Sequence, residues 1–146
     1  KSKDNLFNAR INTDFDQSLP GVEVVPQDIG RVLLNLLNNA FYAVNERATS
    51  PVREDGADYQ PQVTLRTRNL GNRIVISVED NGNGIPEAIR DKIFQPFFTT
   101  KPTGQGTGLG LSLSYDIIKA HSGDIEVLSR EGEGTEFAIR IPLQKR

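Results

Sequence analysis

DNGNGIP, residues 80–86, follows the apolar run IVISVE, residues 74–79, and the two together decide the fold. The apolar run predicts a strand that is largely buried and that leaves the Asp80 carboxylate at its end. Further along the chain, GTGLGLS at residues 106–112 alternates glycine with other residues and leads into a helix-like segment. Glycine allows another molecule to approach the backbone closely. The sequence therefore predicts a binding site built from these two stretches.

The pattern around them predicts one α/β domain over residues 1–146. Helical spacing predicts helices at 26–47, 87–93 and 109–120, and alternating or apolar runs predict strands at 8–15, 22–25, 62–69, 73–80, 124–130 and 135–141. Short turns between the later strands require antiparallel pairs. We therefore expect a two-layer α/β sandwich, with a mixed, mostly antiparallel sheet and the helices on one face.

Two segments lack a period and are rich in glycine, proline or charge. Residues 48–61 are predicted to form a mobile surface loop. Residues 97–106 are predicted to form a lid that is mobile without a ligand.

Composition excludes several classes of function. The 146 residues have a net charge of -2 and a pI near 5.4, so no basic field recruits nucleic acid or an anionic membrane. The chain has no cysteine, which excludes disulfides and thiolate zinc sites. No apolar stretch approaches the ~20 residues that span a bilayer. We expect a cytoplasmic domain without membrane contact, cut from a longer protein whose membrane anchoring stays open.

The first predicted helix carries asparagines on one face. That face holds Arg31, Asn35, Asn39 and Tyr42, with Asn38 at its edge, and the opposite face holds Leu33, Leu37, Ala40 and Val44. A plain solvated face is one interpretation. Asparagine is a poor helix former, however, so three of them indicate that amide groups are needed there. An amide oxygen can ligate Mg²⁺ or hold one of its waters.

Asp80 has two interpretations. It could simply cap the following turn, as Asp commonly does before Asn-Gly. It could instead recognise adenine, because a carboxylate accepts a hydrogen bond where the exocyclic amino group donates one, and guanine has an oxygen there. Gly84 would then be small because a base packs against it.

The glycines at 104, 106, 108 and 110 match neither the P-loop nor the dinucleotide fingerprint. Glycine-rich backbone at a helix start still offers N–H groups and a positive dipole end to phosphate, although such a loop can also be merely flexible. Lys101 is either a surface lysine or a γ-phosphate contact. His121, the only histidine, is predicted to be structural, in the last turn of a helix capped by Gly123.

Four motifs in this order resemble those of two-component sensor histidine kinases. LNLLNNA at 34–40 resembles the N box, DNGNGI at 80–85 the first glycine box, IFQPFFTTK at 93–101 the phenylalanine box with a short ATP lid, and GTGLGLS at 106–112 the second glycine box. The segment from HSG at 121–123 to GTEF at 134–137 resembles the closing hairpin of that family. The resemblance implies the Bergerat ATP-binding fold shared with gyrase, mismatch-repair and heat-shock ATPases.

The resemblance also implies ATP and Mg²⁺ as cofactors, and a role for individual residues. Asn39 would ligate Mg²⁺, Asp80 would bind the adenine amino group, and Thr135 would lie close to it through water. Asn35 and Lys101 are the catalytic candidates. The candidate nucleotide-binding residues are Asn35, Asn38, Asn39, Tyr42, Asp80, Gly82, Gly84, Ile85, Phe98, Thr99, Lys101, Gly106, Thr107, Gly108, Leu109, Gly110, Leu111 and Thr135.

Two positions separate this chain from its possible relatives. Hydrolytic members of the fold carry a glutamate where this chain has Asn35, which cannot take a proton and so favours phosphoryl transfer over hydrolysis. Many histidine kinases have a basic residue where this chain has Tyr42. That phosphate contact is either missing or supplied by Lys101 or Arg31.

The expected function is that of a sensor kinase's catalytic domain, donating the ATP γ-phosphoryl group to a histidine on an adjoining dimerisation and phosphoacceptor domain. That helical domain, expected upstream, and the receiver domain of a response regulator are the expected partners. Two alternatives stay open. One is a degenerate ATP-binding module that regulates without phosphotransfer, for which Tyr42 is the only hint. The other is an ATP-driven clamp of the gyrase or heat-shock type, which Asn35 disfavours.

Overall fold

The structure, a computed structural model, describes residues 9–18, 26–49, 59–96, 98 and 110–143. Its elements are strands β1 (Arg10–Asp14), β2 (Gln62–Asn69), β3 (Arg73–Asp80), β4 (Asp124–Arg130) and β5 (Gly134–Pro142), helices α1 (Pro26–Ala48) and α2 (Gly110–Ala120), and a 3-10 helix (Glu87–Lys92). The predicted α/β architecture is confirmed. The extended piece predicted at 22–25 lies outside the described residues.

The five strands form one sheet in the order β1-β2-β3-β5-β4. β1 pairs with β2 in parallel, and every other neighbouring pair is antiparallel. β5, which follows β4 in the sequence, therefore lies between β3 and β4. This register places Thr135 directly opposite Asp80.

Helix α1 covers one face of the sheet with a stripe of small and branched apolar side chains. Val32, Leu36, Ala40 and Val44 repeat every fourth residue and are at most 3% exposed. Leu33 and Leu37, predicted to lie with Ala40 and Val44 opposite the asparagine face, are half-buried and pack against the core. Val32 and Leu36 are buried more completely than these two leucines.

Helix α2 ends in a Schellman motif that was only partly predicted. The Gly123 N–H donates to Ile118 O at 2.9 Å and the Ser122 N–H donates to Lys119 O at 3.0 Å. The left-handed residue is Ser122, with φ 64°, so the prediction that Gly123 takes the capping conformation was wrong. Gly123 is small for a different reason, since a Cβ there would overlap the backbone oxygen of Arg140.

The two segments predicted to be mobile lie mostly outside the described residues. Ala48 still belongs to α1, and the Pro61 carbonyl accepts a hydrogen bond from the Arg10 N–H at 2.9 Å. The loop prediction was therefore wrong at Ala48, whereas residues 59–61 belong to no helix or strand, as predicted. The mobility of the segment stays a prediction. Of the predicted lid, only Phe98 is described, so the lid stays a prediction.

The face of the sheet that points away from the helices carries ion pairs between neighbouring strands. Arg68 Nη2 lies 2.7 Å from Asp14 Oδ2, and Arg140 Nη1 lies 2.6 Å from Asp124 Oδ1. The described cross-strand pairs on this face are Arg66–Asp14, Arg66–Glu79, Arg66–Glu136, Arg68–Asp14, Arg140–Asp124 and Arg140–Glu126. This face is therefore a solvated, charge-paired surface.

Candidate functional site

Asp80 is a buried carboxylate at the end of β3, with 8% of its surface exposed. Its Oδ1 accepts a hydrogen bond from the Gly82 N–H at 2.8 Å, and the backbone N–H of Thr135 also bonds the carboxylate. Burial raises the pKa of Asp80 to about 6, while these two hydrogen bonds oppose the rise. The capping interpretation is thus confirmed. Among the described residues no lysine or arginine pairs with Asp80, an unusual situation for a buried charge.

The loop that follows Asp80 is pressed between α1 and the β4–β5 turn. A Cβ on Gly82 would lie 2.8 Å from the Ala43 Cβ. Gly84 has φ +81°, and a Cβ there would overlap the backbone oxygen of Arg130. Contact with the chain itself is therefore sufficient reason for this glycine, and contact with a base stays a prediction.

A short chain of hydroxyl groups connects this loop to β5. The Ile85 N–H donates to Ser129 Oγ at 2.7 Å, and Ser129 Oγ lies 2.9 Å from Thr135 Oγ1. Thr135 is buried, with 6% of its surface exposed. Sequence analysis missed Ser129, because a serine in a short strand carries no local signal of what it faces.

The asparagine face of α1 meets the beginning of α2. Asn35 Nδ2 donates to Gly110 O at 3.2 Å and to Ser114 Oγ at 3.3 Å. Asn39 lies one helical turn further along the same face and is half-buried, whereas Asn38 is exposed. Asn35 therefore joins the two helices at the point where the second glycine-rich stretch enters α2.

Tyr42 continues this face toward the end of α1 and is half-buried. Burial, followed by the nearby charge of Glu46, raises the pKa of its hydroxyl above the ordinary value of 10.0. Tyr42 is therefore a neutral group at neutral pH and does not replace the charge of a basic residue.

Aromatic and apolar side chains connect the segment after the 3-10 helix to α2. The Phe94 ring centroid lies 5.6 Å from that of Tyr115 and 6.3 Å from that of Phe137. Phe98 and Leu111 are partly buried against the core. The remaining predicted phosphate-side residues, Thr99, Lys101, Gly106, Thr107, Gly108 and Leu109, lie outside the described residues.

His121 follows α2 and is buried, with 8% of its surface exposed. Its Nδ1 lies 2.8 Å from Ile117 O, at the helix end distant from Gly110. Within the described ranges, no group of three or more His, Cys, Asp or Glu side chains is placed to hold a metal ion. In the same part of the chain, no helix is long and apolar enough to cross a membrane.

Asn35 thus contacts the start of α2, whereas the loop after Asp80 packs on Ala43 and Arg47, about two and three turns further along the same helix. Comparison with known proteins identifies the family. Residues 24–145 match the family described as histidine kinase-, DNA gyrase B-, and HSP90-like ATPase.

Two relatives of this chain are named as kinases. The sensory histidine kinase/phosphatase NtrB of Escherichia coli O157:H7 is 37% identical over 138 residues, which are 94% of this chain and 38% of NtrB. Sporulation kinase E of Bacillus subtilis (strain 168) is 35% identical over 141 residues, 97% of this chain and 17% of the kinase. The chain therefore spans well under half the length of these relatives.

A solved structure resembles the whole chain. The catalytic domain of histidine kinase ThkA, in a nucleotide-free form, superposes with a TM-score of 0.77 and 31% identity, covering 99% of this chain and 86% of that one. This likeness confirms the predicted fold and the resemblance to sensor kinases. The chain therefore belongs to the histidine kinase-, DNA gyrase B- and HSP90-like ATPase family, as an ATP-binding catalytic domain of the histidine kinase type.

Proposed function

We propose that this domain binds ATP with Mg²⁺ and donates the γ-phosphoryl group to a histidine on a helical dimerisation and phosphoacceptor domain of the same protein. A receiver domain of a response regulator would then take the phosphoryl group. The observation that carries the proposal is Asp80, a buried carboxylate that accepts backbone N–H groups and has no paired cation among the described residues. A donor from a ligand would complete its hydrogen bonding. We also propose that the domain works in the cytoplasm.

On the adenine side, Asp80 accepts a hydrogen bond from the exocyclic amino group. Thr135 lies opposite it in the sheet, close enough to act through a water molecule. Gly82, Gly84 and Ile85 form the wall of this side with their backbone. A guanine would place an oxygen against the carboxylate, so the site discriminates against GTP.

On the phosphate side, the proposed polar contacts are side-chain amides rather than carboxylates. Asn39 offers an amide oxygen, a hard ligand of the kind Mg²⁺ prefers, and the ion would neutralise charge on the phosphates. Asn35 uses its amide nitrogen to bond Gly110 O and thereby holds the start of α2 beside α1. Residues Asn38, Tyr42, Phe98, Thr99, Lys101, Gly106, Thr107, Gly108, Leu109, Gly110 and Leu111 complete the proposed nucleotide contacts.

Phosphoryl transfer, rather than hydrolysis, follows from the chemistry of Asn35. An amide cannot accept the proton of an attacking water, so this position supplies no general base. The chain's own residues would position the nucleotide, and the acceptor histidine would supply the nucleophile.

Calorimetry with ATP and GTP tests the adenine assignment. We expect ATP to bind at least about tenfold more tightly, and Asp80→Asn to remove most of this preference, because hydrogen bonds to charged groups contribute about 1.5–3 kcal/mol. Asp124→Asn, on the opposite face of the sheet, is the matched control and should bind like the wild type. Equal affinity of the wild type for the two nucleotides would sink the adenine assignment.

Titration with and without Mg²⁺ tests the metal assignment. Asn39→Ala should weaken binding of the Mg²⁺ complex more than binding of metal-free ATP, because the lost group is an ion ligand. Asn72→Ala, at an exposed asparagine in the turn between β2 and β3, is the control. An identical loss under both conditions would show that Asn39 does not act through the ion.

Incubation with γ-labelled ATP tests which histidine accepts the phosphoryl group. The full-length parent should gain an acid-labile label, and the domain alone should gain none. His121 cannot be the acceptor, because a rise of ~1.5 Å per residue places it about 16 Å from Gly110 along α2. Label on the isolated domain that disappears in His121→Gln would refute this assignment.

A further inference from the structure

Arg47 lies in the last turn of α1 and contacts segments that are distant in the sequence. Its Nη1 is 3.1 Å from Asn81 O, 3.1 Å from Gly82 O and 3.0 Å from Gly132 O. A basic side chain at a helix end ordinarily interacts with the carbonyls of its own last turn. Arg47 instead donates to both the loop after Asp80 and the β4–β5 turn.

Tyr59 contacts the same loop and lies beside Arg47. The guanidinium of Arg47 lies 4.6 Å from the centroid of the Tyr59 ring, an arrangement that favours both groups electrostatically. The Tyr59 hydroxyl donates to Asn81 O at 2.9 Å, and Asn81 Oδ1 accepts the Gln62 N–H at 2.9 Å. Asn81 is therefore fixed through both its backbone and its side chain.

The β4–β5 turn is tied to the loop directly as well as through Arg47. The Gly132 N–H donates to Asn83 O at 2.7 Å. Both Gly84 and Gly134 have positive φ, and a Cβ on either would overlap backbone of the facing segment. Three segments from distant parts of the chain thus meet, and the Arg47 guanidinium is the one side-chain group described here that donates to two of them from the third.

We infer that Arg47 is a positioning residue for nucleotide binding, which holds the loop after Asp80 in the conformation that accepts adenine. The inference rests on the proposed function. Arg47 acts indirectly, through Gly82. It donates a hydrogen bond to Gly82 O, and the Gly82 N–H in turn donates to the Asp80 carboxylate and orients it. Ordering this loop before the ligand arrives lowers the entropic cost of binding.

The position of Arg47 predicts which ligands lose affinity when this side chain is removed. Its three acceptors belong to the adenine side, whereas the start of α2 is contacted by Asn35, about three turns earlier on α1. Loss of Arg47 should therefore weaken ATP and ADP by the same factor, with or without Mg²⁺. An effect through the phosphates or the ion would differ between these ligands.

The experiment compares the wild type with Arg47→Ala, Arg47→Lys and Arg68→Ala. Arg68 is a matched control because its Nη1 also donates to backbone carbonyls, those of Asp14 and Thr67, but on the far side of the sheet. Calorimetry measures the dissociation constants of ATP and ADP, and hydrogen exchange follows the Gly82 and Gly132 amides in the empty protein. Thermal melting records whether each variant is folded.

We expect Arg47→Ala to raise the dissociation constants of both nucleotides about tenfold, equivalent to about 1.4 kcal/mol, and to speed exchange at Gly82 and Gly132. Arg47→Lys should lie between the wild type and Arg47→Ala, since lysine keeps donors but lacks the planar fork and the stacked ring contact. Should Arg47→Ala fail to fold, the lysine variant carries the test. Arg68→Ala should bind nucleotide as the wild type does.

Three results would overturn the inference: unchanged affinity in a folded Arg47 variant, a loss that differs between ATP and ADP, or an equal loss in Arg68→Ala. If the wild type binds ATP and Arg47→Ala binds it equally well, only this inference fails. If the wild type binds no ATP, the proposed function fails together with it.

Discussion

The two faces of the sheet handle charge in opposite ways. On the face away from the helices, arginines such as Arg66 and Arg140 pair with carboxylates that are partly exposed to water. At the helix-side end of β3, the Asp80 carboxylate is buried and bonded to backbone N–H groups, and nearby Arg47 bonds backbone carbonyls. One face matches charge with charge, whereas the other surrounds each charge with peptide groups.

The two arrangements differ in their net contribution to the stability of the fold. Exposed ion pairs replace water with a partner of similar strength and contribute little net stability. A carboxylate withdrawn from water is costly unless its hydrogen bonding is complete. The protein maintains the costly arrangement at Asp80, which is the position where the proposed ligand would supply the missing donor.

A side chain at Gly134 is expected to disturb the close packing around Asp80 and to give the largest loss of stability. Its φ is +139°, and a Cβ there would overlap the backbone oxygen of Asp80. We expect Gly134→Ala to lower the free energy of unfolding by more than about 3 kcal/mol, because both the backbone conformation and the contact are lost. Urea denaturation measures the change.

The matched control for this change is Gly71→Ala. Gly71 also has a positive φ, of +93°, but no atom lies within 4 Å of the position a Cβ would take. We expect a loss of about 1 kcal/mol from backbone strain alone. Similar losses in the two variants would show that the contact with Asp80 contributes nothing.

The buried carboxylate should reveal itself in the pH dependence of stability. Burial raises the pKa of Asp80 from 3.8 to about 6 in the folded protein, which therefore holds the proton more tightly than the unfolded chain does. The unfolding free energy from this group falls as the pH rises between these values, by up to about 3 kcal/mol, and stays constant above them.

Urea denaturation of the wild type and of Asp80→Asn, at pH values between 3.8 and about 6, isolates the contribution of Asp80 to the unfolding free energy. The difference in unfolding free energy between the two proteins should change in favour of the wild type as the pH falls below about 6. A difference that is independent of pH would show that the carboxylate does not carry the shifted pKa.

The ion pairs of the outer face should give the smallest effect. A double-mutant cycle of Arg140→Gln and Glu126→Gln should yield a coupling free energy below about 1 kcal/mol, because the pair is partly exposed. Raising the salt concentration should reduce it further. A coupling well above this value, insensitive to salt, would remove the contrast between the two faces.

Local patterns predicted the elements and much of the site. The strand ending at Asp80, the hairpin turn at residues 70–72 and the helix beginning at Pro26 each depend on neighbouring residues, and the structure agrees with each. The asparagine face was visible because Asn35 and Asn39 share a helical period. These features require no knowledge of distant contacts.

Contacts between distant segments could not be predicted in this way. Arg47 looked like an ordinary basic residue of a last turn, and its partner Gly132 is 85 residues away. Ser129 and the reason for Gly84 depend on how the β4–β5 turn lies against the loop after Asp80. The more complete burial of Val32 and Leu36 than of Leu33 and Leu37 depends on the two strands and the helix that α1 contacts.

The place of β5 in the sheet has a consequence for the order in which the protein can form. β5 is made after the other four strands of the sheet, yet it fills the gap between β3 and β4 and supplies Thr135, Phe137 and Ile139 to the site and the core. During synthesis on a ribosome, a nascent chain that ends before Gly134 has two unpaired strand edges and no partner for the end of β3. The packing around Asp80 can therefore form only after β5 has been made, so folding of the sheet and completion of this site depend on the same strand.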